Sequence, residues 1–317
     1  MLVSVLVTGG AGFIGSHLVE RLLGQGAEVI CLDDFNDSYD PCRKRANLAL
    51  VANHPRFHLE VGDIRDPVAL DRAYGHGVDA TVHLAARAGV RQSIVDPVLY
   101  QQVNALGTLN VLDAARRHHA RVFVLGSSSS VYGINAKVPF CEDDPITHPV
   151  SPYAVTKRAG ELMGYTYHHL HGLCVTVLRF FTVYGPRQRP EMAIHRFAER
   201  MLRGESVPRF GDGSSARDYT YVDDIVDGII AALNAASQFE IVNLGGARVV
   251  TLERLIGLIG TAVGVTPRIE NLPEQAGDVP VTCADVSRAR ALWGWHPRVP
   301  IEVGIGRFVA WLRQQVP

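Results

Sequence analysis

Tyr153 and Lys157 stand in the run Ser151-Pro152-Tyr153-Ala154-Val155-Thr156-Lys157. Residues i and i+4 are neighbours on one face of a helix, so the phenol and the ammonium share a side. A phenol has a reference pKa of about 10 and is a poor base at neutral pH. A lysine ammonium beside it favours the phenolate, which makes the tyrosine a general acid/base able to work near pH 7. The same spacing also suits an ordinary amphipathic helix in which the tyrosine packs and the lysine is solvated, so its surroundings must decide. Upstream lies Gly126-Ser127-Ser128-Ser129-Ser130-Val131-Tyr132-Gly133. Four serines can be a solvated turn, but a serine hydroxyl both donates and accepts. Placed at a strand end beside the helix, Ser128 with Ser129 or Ser130 could hold a sugar hydroxyl and share its proton with Tyr153.

The elements that must position these residues read as alternating strands and helices. The first strand runs into Thr8-Gly9-Gly10-Ala11-Gly12-Phe13-Ile14-Gly15. A helix follows with Ile14, Leu18, Leu22 and Leu23 at helical spacing, and a strand over 27–32 ends at Asp33. This is a βαβ unit with G-x-G-x-x-G at its first turn. The glycines let backbone approach a pyrophosphate, the helix N-terminus offers N–H groups and a positive dipole end, and an acid about 20 residues on meets the ribose 2′-hydroxyl. Asp33 fills that place, predicting NAD over NADP, and Asp34 adds a second negative charge. A nicotinamide ring near Tyr153 would lower its pKa further.

Strands are also predicted over 56–61, 79–84, 121–125 and 173–178, ending in Gly62-Asp63-Ile64, Leu84-Ala85-Ala86-Arg87, the serine run, and Arg179-Phe180-Phe181-Thr182-Val183-Tyr184-Gly185. Ligands sit beyond the C-terminal ends of parallel strands, so all four ends face the glycine loop's crevice. Asp63 reads equally as a helix cap or an adenine contact. Residues 97–119 read as one long helix containing Asn104. Beyond Gly185 the alternation breaks. Arg187, Arg189 and Arg196 cluster around a proline-containing loop and a helix over 192–203, either as solvated charge or as forks for phosphates. Phe210-Gly211-Asp212-Gly213 reads as a turn, residues 240–244 as a buried strand, and 251–263 and 302–314 as helices. The fold class is therefore α/β, a Rossmann-type doubly wound parallel sheet with a smaller α/β C-terminal substrate domain. Residues 1–179 and 220–245 are assigned to the NAD-binding domain, and 180–219 with 246–317 to nucleotide-sugar binding.

Composition narrows the partners. The 317 residues are 47% hydrophobic and 20% charged with net charge −1, which gives no basic excess for nucleic acid. Five scattered cysteines without C-x-x-C indicate neither a disulfide framework nor zinc, and fit reduced thiols in the cytoplasm. The apolar start is too short for a signal peptide, and no apolar run is long enough to span a membrane. Asn36-Asp37-Ser38 matches a glycosylation acceptor that a cytosolic chain would not use. His168 and His171 share a helical face without further ligands, so no metal is expected.

With these residues placed, the chain resembles the extended short-chain dehydrogenase/reductase family, specifically its nucleotide-sugar epimerases and dehydratases. The resemblance covers nearly the whole length. It is carried by the glycine run 8–15, Gly62-Asp63-Ile64, Ser127 to Gly133, Ser151-Pro152-Tyr153 with Lys157, and Arg217-Asp218-Tyr219. It implies bound NAD, reduced and reoxidised within one turnover, and assigns its contacts to Gly9, Gly12, Phe13, Ile14, Gly15, Asp33, Asp63, Ile64, Leu84, Ala85, Ala86, Arg87, Asn104, Ser127, Tyr153, Lys157 and Phe180. Substrate contacts fall on Arg91, Ser128, Ser129, Ser130, Thr182, Arg187, Arg189, Arg217 and Asp278, with Tyr153, Lys157 and Ser128 catalytic. A homodimer built through the helices over 97–119 and 152–171 is also implied. Related dehydratases and decarboxylases carry acids where Ser129 and Ser130 stand, and a serine cannot replace a carboxylic acid as proton source. Hexose epimerases usually show Asn at the place of Thr182. The run Phe180 to Pro186, followed by Arg187, Arg189, Pro190 and Met192, is similar to the UDP-glucuronate 4-epimerases. The expectation is an NAD-dependent UDP-sugar 4-epimerase that interconverts UDP-glucuronate and UDP-galacturonate. UDP-glucose 4-epimerase is the alternative. A catalytically silent NAD-binding regulator is a third reading, which intact Tyr153 and Lys157 oppose.

Overall fold

The computed structural model describes residues 4–135, 137–273 and 279–315. β1 (Ser4–Thr8) is buried along its whole length, and α1 (Phe13–Gly24) leads to β2 (Glu28–Asp33). Next come α2 (Pro41–Asn47), β3 (Phe57–Val61), α3 (Pro67–Tyr74) and β4 (Ala80–His83). α4 (Val90–Val95), α5 (Pro97–Tyr100), a π-helical turn over Gln101–Leu106 and α6 (Gly107–Arg117) precede β5 (Val122–Ser128). α7 (Pro152–His171) is followed by β6 (Cys174–Phe180).

The remaining chain supplies β7 (Thr182–Tyr184), α8 (Ala193–Leu202), β8 (Val207–Phe210), β9 (Ala216–Tyr221), α9 (Val222–Ala235) and β10 (Phe239–Leu244). β11 (Val249–Thr251), α10 (Leu252–Val263), β12 (Ile269–Leu272), α11 (Ser287–Trp293) and α12 (Ile301–Gln315) complete it.

Seven strands form one parallel sheet in the order β10-β6-β5-β4-β1-β2-β3. The order reverses between β1 and β4, and a crevice opens at such a point beyond the strand ends. Alternate residues of the central strands feed two cores. Val5 and Val7 pack with Leu18, Leu22, Ile225 and Ile229 on one face. Leu6, Phe123 and Leu125 pack with Leu70, Val111 and Leu112 on the other. That two-sided burial is why these strands read as continuous apolar runs.

Several helix starts are fixed by one device. Asp40, Asp66, Asp96 and Ser151 each cap the helix they precede, and each is followed by proline. Proline suits the first helical position because its missing N–H would have no intrahelical partner there. Ser151 Oγ accepts from Ala154 N at 3.1 Å, which sets where α7 begins and hence which face Tyr153 and Lys157 occupy. Asp66, not Asp63, caps α3, accepting from Val68 N at 2.9 Å, so the cap reading of Asp63 is corrected.

Two further expectations are refined. The helix over 97–119 carries a π turn in its middle. There Asn104, 2% exposed, accepts from Arg87 N at 2.8 Å and donates to Arg87 O at 2.9 Å and Thr156 Oγ1 at 3.1 Å. The wider turn lets one side chain tie the end of β4 to α7. The strands flanking Phe210 to Gly213 belong to different sheets. β8 pairs with β12, and β9 pairs with β7 and β11.

Beneath the serine run lies a buried charge network. Arg179, 1% exposed, donates through Nε to Glu161 Oε1 at 3.0 Å and through its terminal nitrogen to Glu161 Oε2 at 2.9 Å. Ser127 Oγ, at 2.7 Å, and the Arg158 guanidinium, at 2.8 Å, both donate to the Glu161 carboxylate as well. Arg179 also reaches Tyr132 Oη at 3.0 Å, and Tyr132 donates to Asn243 Oδ1 at 2.7 Å. These bonds join α7, β5, β6 and β10. Burial opposes both charges, yet the Arg179 hydrogen bonds hold the Glu161 carboxyl below its usual range.

Removing Arg179 leaves the buried Glu161 carboxylate with only Ser127 and the partly exposed Arg158. Arg179→Met should cost about 3–5 kcal/mol in urea unfolding, and adding Glu161→Leu should restore part of that loss. A single mutant as stable as the parent would contradict a shared buried pair.

Candidate active site

A cleft of about 380 Å³ lies where the sheet order reverses. Its floor is the glycine loop. Gly9 has φ +70°, and a Cβ there would press on the Ala85 backbone. A Cβ on Gly15 would collide with the Gly9 carbonyl, and one on Gly12 would meet only that carbonyl within contact range. The loop must therefore stay free of side chains, and no side chain caps α1 at Gly12. Helix N-terminal N–H groups open to a cleft are suited to phosphates. Asp33, 6% exposed, accepts from Ala11 N at 3.1 Å and Phe35 N at 2.9 Å. Burial pushes its carboxyl up, against the Phe35 N–H and the Lys44 ammonium. Tyr39, also on the cleft wall, has a buried hydroxyl without a hydrogen-bond partner. A side-chain-free phosphate cradle, an acid at ribose distance in sequence and an orphaned hydroxyl together fit a dinucleotide.

Phe13, Ile14, Asp63, Ile64, Leu84, Ala85, Ala86, Ser127, Phe180, Tyr153 and Lys157 also line the cleft. Burial opposes the Asp63 charge, but Arg65 holds that carboxyl below its usual range, with its backbone N 2.8 Å away. Ser127 points its hydroxyl at Glu161. Asn104 and Arg87 are not among the lining residues; Asn104 holds the Arg87 backbone instead.

At the cleft's catalytic end Tyr153 packs edge-on against Tyr100, with ring centres 6.3 Å apart. Tyr100 Oη donates to Ala88 O at 2.9 Å. Lys157 Nζ lies 6.0 Å from the centre of the Tyr153 ring and donates to Gly126 O at 2.8 Å. Burial lowers its pKa to about 8, with Glu161 opposing that shift. Burial also lifts the Tyr153 phenol above its ordinary value, while a hydrogen bond with Ser128 and the charge of Arg189 pull it down. Helical spacing predicts Lys157 as the cation that lowers Tyr153. In the structure the Lys157 ammonium donates to the Gly126 carbonyl on the same side of the cleft, and Arg189 brings a second cation near the phenol. Ser128 Oγ donates to Ser130 Oγ at 3.2 Å, so the serines meet the cleft as a linked set.

The expected substrate residues separate. Ser129, Ser130, Thr182 and Arg189 line the same cleft as Tyr153. Arg187 does not. It has φ +65°, and its guanidinium pairs with Glu20 on α1 at 2.6 Å. Arg91 lies over the Phe210 ring at 5.9 Å, and Arg196 over the same ring at 6.0 Å. Burial, then Arg91 and Arg200, lower the Arg196 pKa, and its buried Nε has no hydrogen-bond partner. Arg217, on β9, donates to Ala216 O at 3.0 Å and Pro280 O at 3.3 Å. Asp278 lies outside the described residues. Met192, named with the run after Phe180, lines the cleft too, and Lys44, Tyr39 and Val90 join it without having been singled out in the sequence.

The sequence pattern of the NAD dependent epimerase/dehydratase family matches residues 5–245. A UDP-glucuronate 4-epimerase of Thermodesulfobacterium geofontis is 41% identical over 313 residues, covering 98% of this chain and 96% of that one. The crystal structure of a UDP-glucuronic acid 4-epimerase from Bacillus cereus, in complex with UDP-glucuronic acid and NAD, superposes with a TM-score of 0.93 at 34% identity, covering 98% and 99% of the two chains. A UDP-glucose 4-epimerase from Thermotoga maritima, solved with UDP-glucose, gives a TM-score of 0.90 at 34% identity, covering 99% and 100%.

Proposed function

On the premise that this chain belongs to the NAD dependent epimerase/dehydratase family, we propose that it is a UDP-sugar 4-epimerase interconverting UDP-glucuronate and UDP-galacturonate. The observation that carries this reading is one cleft wall holding Tyr153, Ser128 to Ser130, Thr182 and Arg189, with serine where an elimination would need an acid. Gly9, Gly12, Gly15, Asp33, Phe180 and Lys157 would hold NAD. Asp33 and Asp34 favour a ribose hydroxyl over a 2′-phosphate. Bound NAD supplies the hydride acceptor and donor for C4.

Tyr153 takes the proton from the C4 hydroxyl as the alcohol is oxidised and returns it once the 4-keto sugar has turned over. Burial favours the neutral phenol at rest, the form that donates. Arg189 and Lys157 are the chain's own cations that ease its deprotonation, and Ser128 orients the reacting hydroxyl.

A sugar carboxylate carries full charge and needs a donor that a hexose CH₂OH does not. Arg189 supplies it, and Thr182, smaller than Asn, leaves room and adds a hydroxyl. There is a chemical hazard. The 4-keto intermediate of a glucuronate is a β-keto acid and loses carbon dioxide when the breaking bond aligns with the ketone π system. Hydrogen bonds from Arg189 and Thr182 would hold the carboxylate out of that alignment.

Purified protein assayed with UDP-glucuronate and UDP-glucose side by side should prefer the former. If UDP-glucose is turned over better, the hexose epimerase reading takes its place. Arg189→Ala should lose roughly 10–100-fold in kcat/KM on UDP-glucuronate, the value of one charge-assisted hydrogen bond. On UDP-glucose it should lose less, only the share that the Arg189 charge contributes at the Tyr153 phenol, and decarboxylated product should be detectable by mass spectrometry in the UDP-glucuronate reaction alone. Tyr153→Phe should keep its NAD and lose at least about 10²–10⁴-fold in turnover. Near-parental activity in that variant would remove Tyr153 from the mechanism.

The chain would act as a homodimer. Val95, Val98, Leu106 and Leu109 on α4 to α6, with Val155, Leu162 and Tyr165 on α7, are exposed large apolar side chains on one helical layer. Such a layer marks an association surface. Light scattering at micromolar concentration should give twice the chain mass, and a monomer would count against it. Among the described residues no helix is long and apolar enough to cross a membrane. The free cysteines suit a reducing cytoplasm.

A further inference from the structure

The fork assigned to the sugar carboxylate is not idle. Arg189 bonds Glu191 Oε1 at 2.8 Å. Its 22%-exposed side chain lines the cleft, while Glu191 is half exposed and outside the lining. Arg189 also leans on Ala88 O at 3.5 Å, the carbonyl that Tyr100 bonds beside Tyr153. A carboxylate of this chain is therefore bound to a cleft arginine within electrostatic range of the catalytic phenol.

We infer that Glu191 is an internal competitor for Arg189 and thereby sets how tightly the enzyme holds a carboxylated sugar. The inference rests on the substrate reading above. A guanidinium presents its donors in a fixed fork and binds carboxylates of either origin in the same way. An arriving sugar carboxylate must displace Glu191 or share the fork with it under like-charge repulsion. A CH₂OH group makes no such demand and leaves the Arg189–Glu191 pair intact. Substrate and product carry the same carboxylate, so a fork without a competitor would retain both. Glu191 thus weakens ground-state binding of the acidic sugar, and binding shared equally by ground state and transition state contributes nothing to kcat. It also keeps Arg189 paired and oriented when the site holds no acid. Glu191 bonds Arg189 and not substrate, so it acts as a specificity residue through its neighbour.

The test uses Glu191→Gln in a Tyr153→Phe background, where dissociation constants of UDP-glucuronate and UDP-glucose are measured by calorimetry without turnover. UDP-glucuronate should bind about two- to fivefold more tightly after Glu191→Gln, the scale of a partly exposed ion pair. UDP-glucose should move by less than about twofold. In the active enzyme the same substitution should lower KM for UDP-glucuronate and strengthen inhibition by UDP-galacturonate, with kcat not raised. Weaker or unchanged UDP-glucuronate binding would overturn the inference and make Glu191 a support that positions Arg189. If the parent enzyme turns over UDP-glucose better than UDP-glucuronate, the substrate reading itself has failed. If it turns over UDP-glucuronate better and Glu191→Gln does not tighten binding, the competitor idea fails alone. Glu191 is on the surface, so loss of fold does not confound the comparison.

Discussion

The buried pair between Arg179 and Glu161 is the contact on which the catalytic geometry depends. Burial makes such a pair expensive unless every donor and acceptor is engaged. Here both Glu161 oxygens and three Arg179 nitrogens are bonded. Because Glu161 is one turn beyond Lys157 on α7 and Arg179 is on β6, the pair fixes the helix against the sheet. Ser127 joins the same carboxylate, so the strand end bearing Ser128 to Ser130 is locked to the helix bearing Tyr153. A satisfied polar network specifies one arrangement in a way apolar packing alone does not. Proton transfer needs that, since the phenol must lie within hydrogen-bond reach of its substrate.

Contiguous signals were legible in the sequence. The glycine loop and Asp33 announce themselves because turn, helix and acid follow in one βαβ unit. Ser151-Pro152 marks the start of α7, and the strand ends bearing Leu84, Ser128 and Phe180 follow from parallel-sheet geometry. What was not legible depends on contacts between distant residues. Lys44 reaches the cleft from a short helix, α2, and Tyr39 from the loop before it, and no periodicity announces either. Arg196 gains its setting from Arg91 and Phe210, which come from different segments. Arg187 and Arg189 share one loop, and their different settings, the first paired with Glu20 and the second on the cleft wall, depend on residues distant in sequence. The bonds that Asn104 makes to the Arg87 backbone and to Thr156 are likewise contacts between separate segments.

Electrostatics divide the cleft into two ends with opposite needs. The end holding Asp33 and Asp34 is acidic and suits hydroxyls. The end holding Arg189 and Lys157 is basic and bears the reacting phenol. Burial lowers the Lys157 pKa to about 8, whereas an arginine stays charged. Of the two cations, Lys157 is therefore the one whose charge can respond to its surroundings near neutral pH.

Within four residues the chain passes from the deep anchor Arg179 on β6, through Phe180 on the cleft wall and Phe181, to Thr182, the first residue of β7 and again on the cleft wall. Side chains of an extended chain alternate faces, and a shift of one residue exchanges them all. The stretch therefore works as a ruler. A single insertion or deletion there would place Leu178 or Phe180 where Arg179 must meet Glu161, so drift in substrate preference can proceed by exchanging side chains along this stretch but not by changing its length.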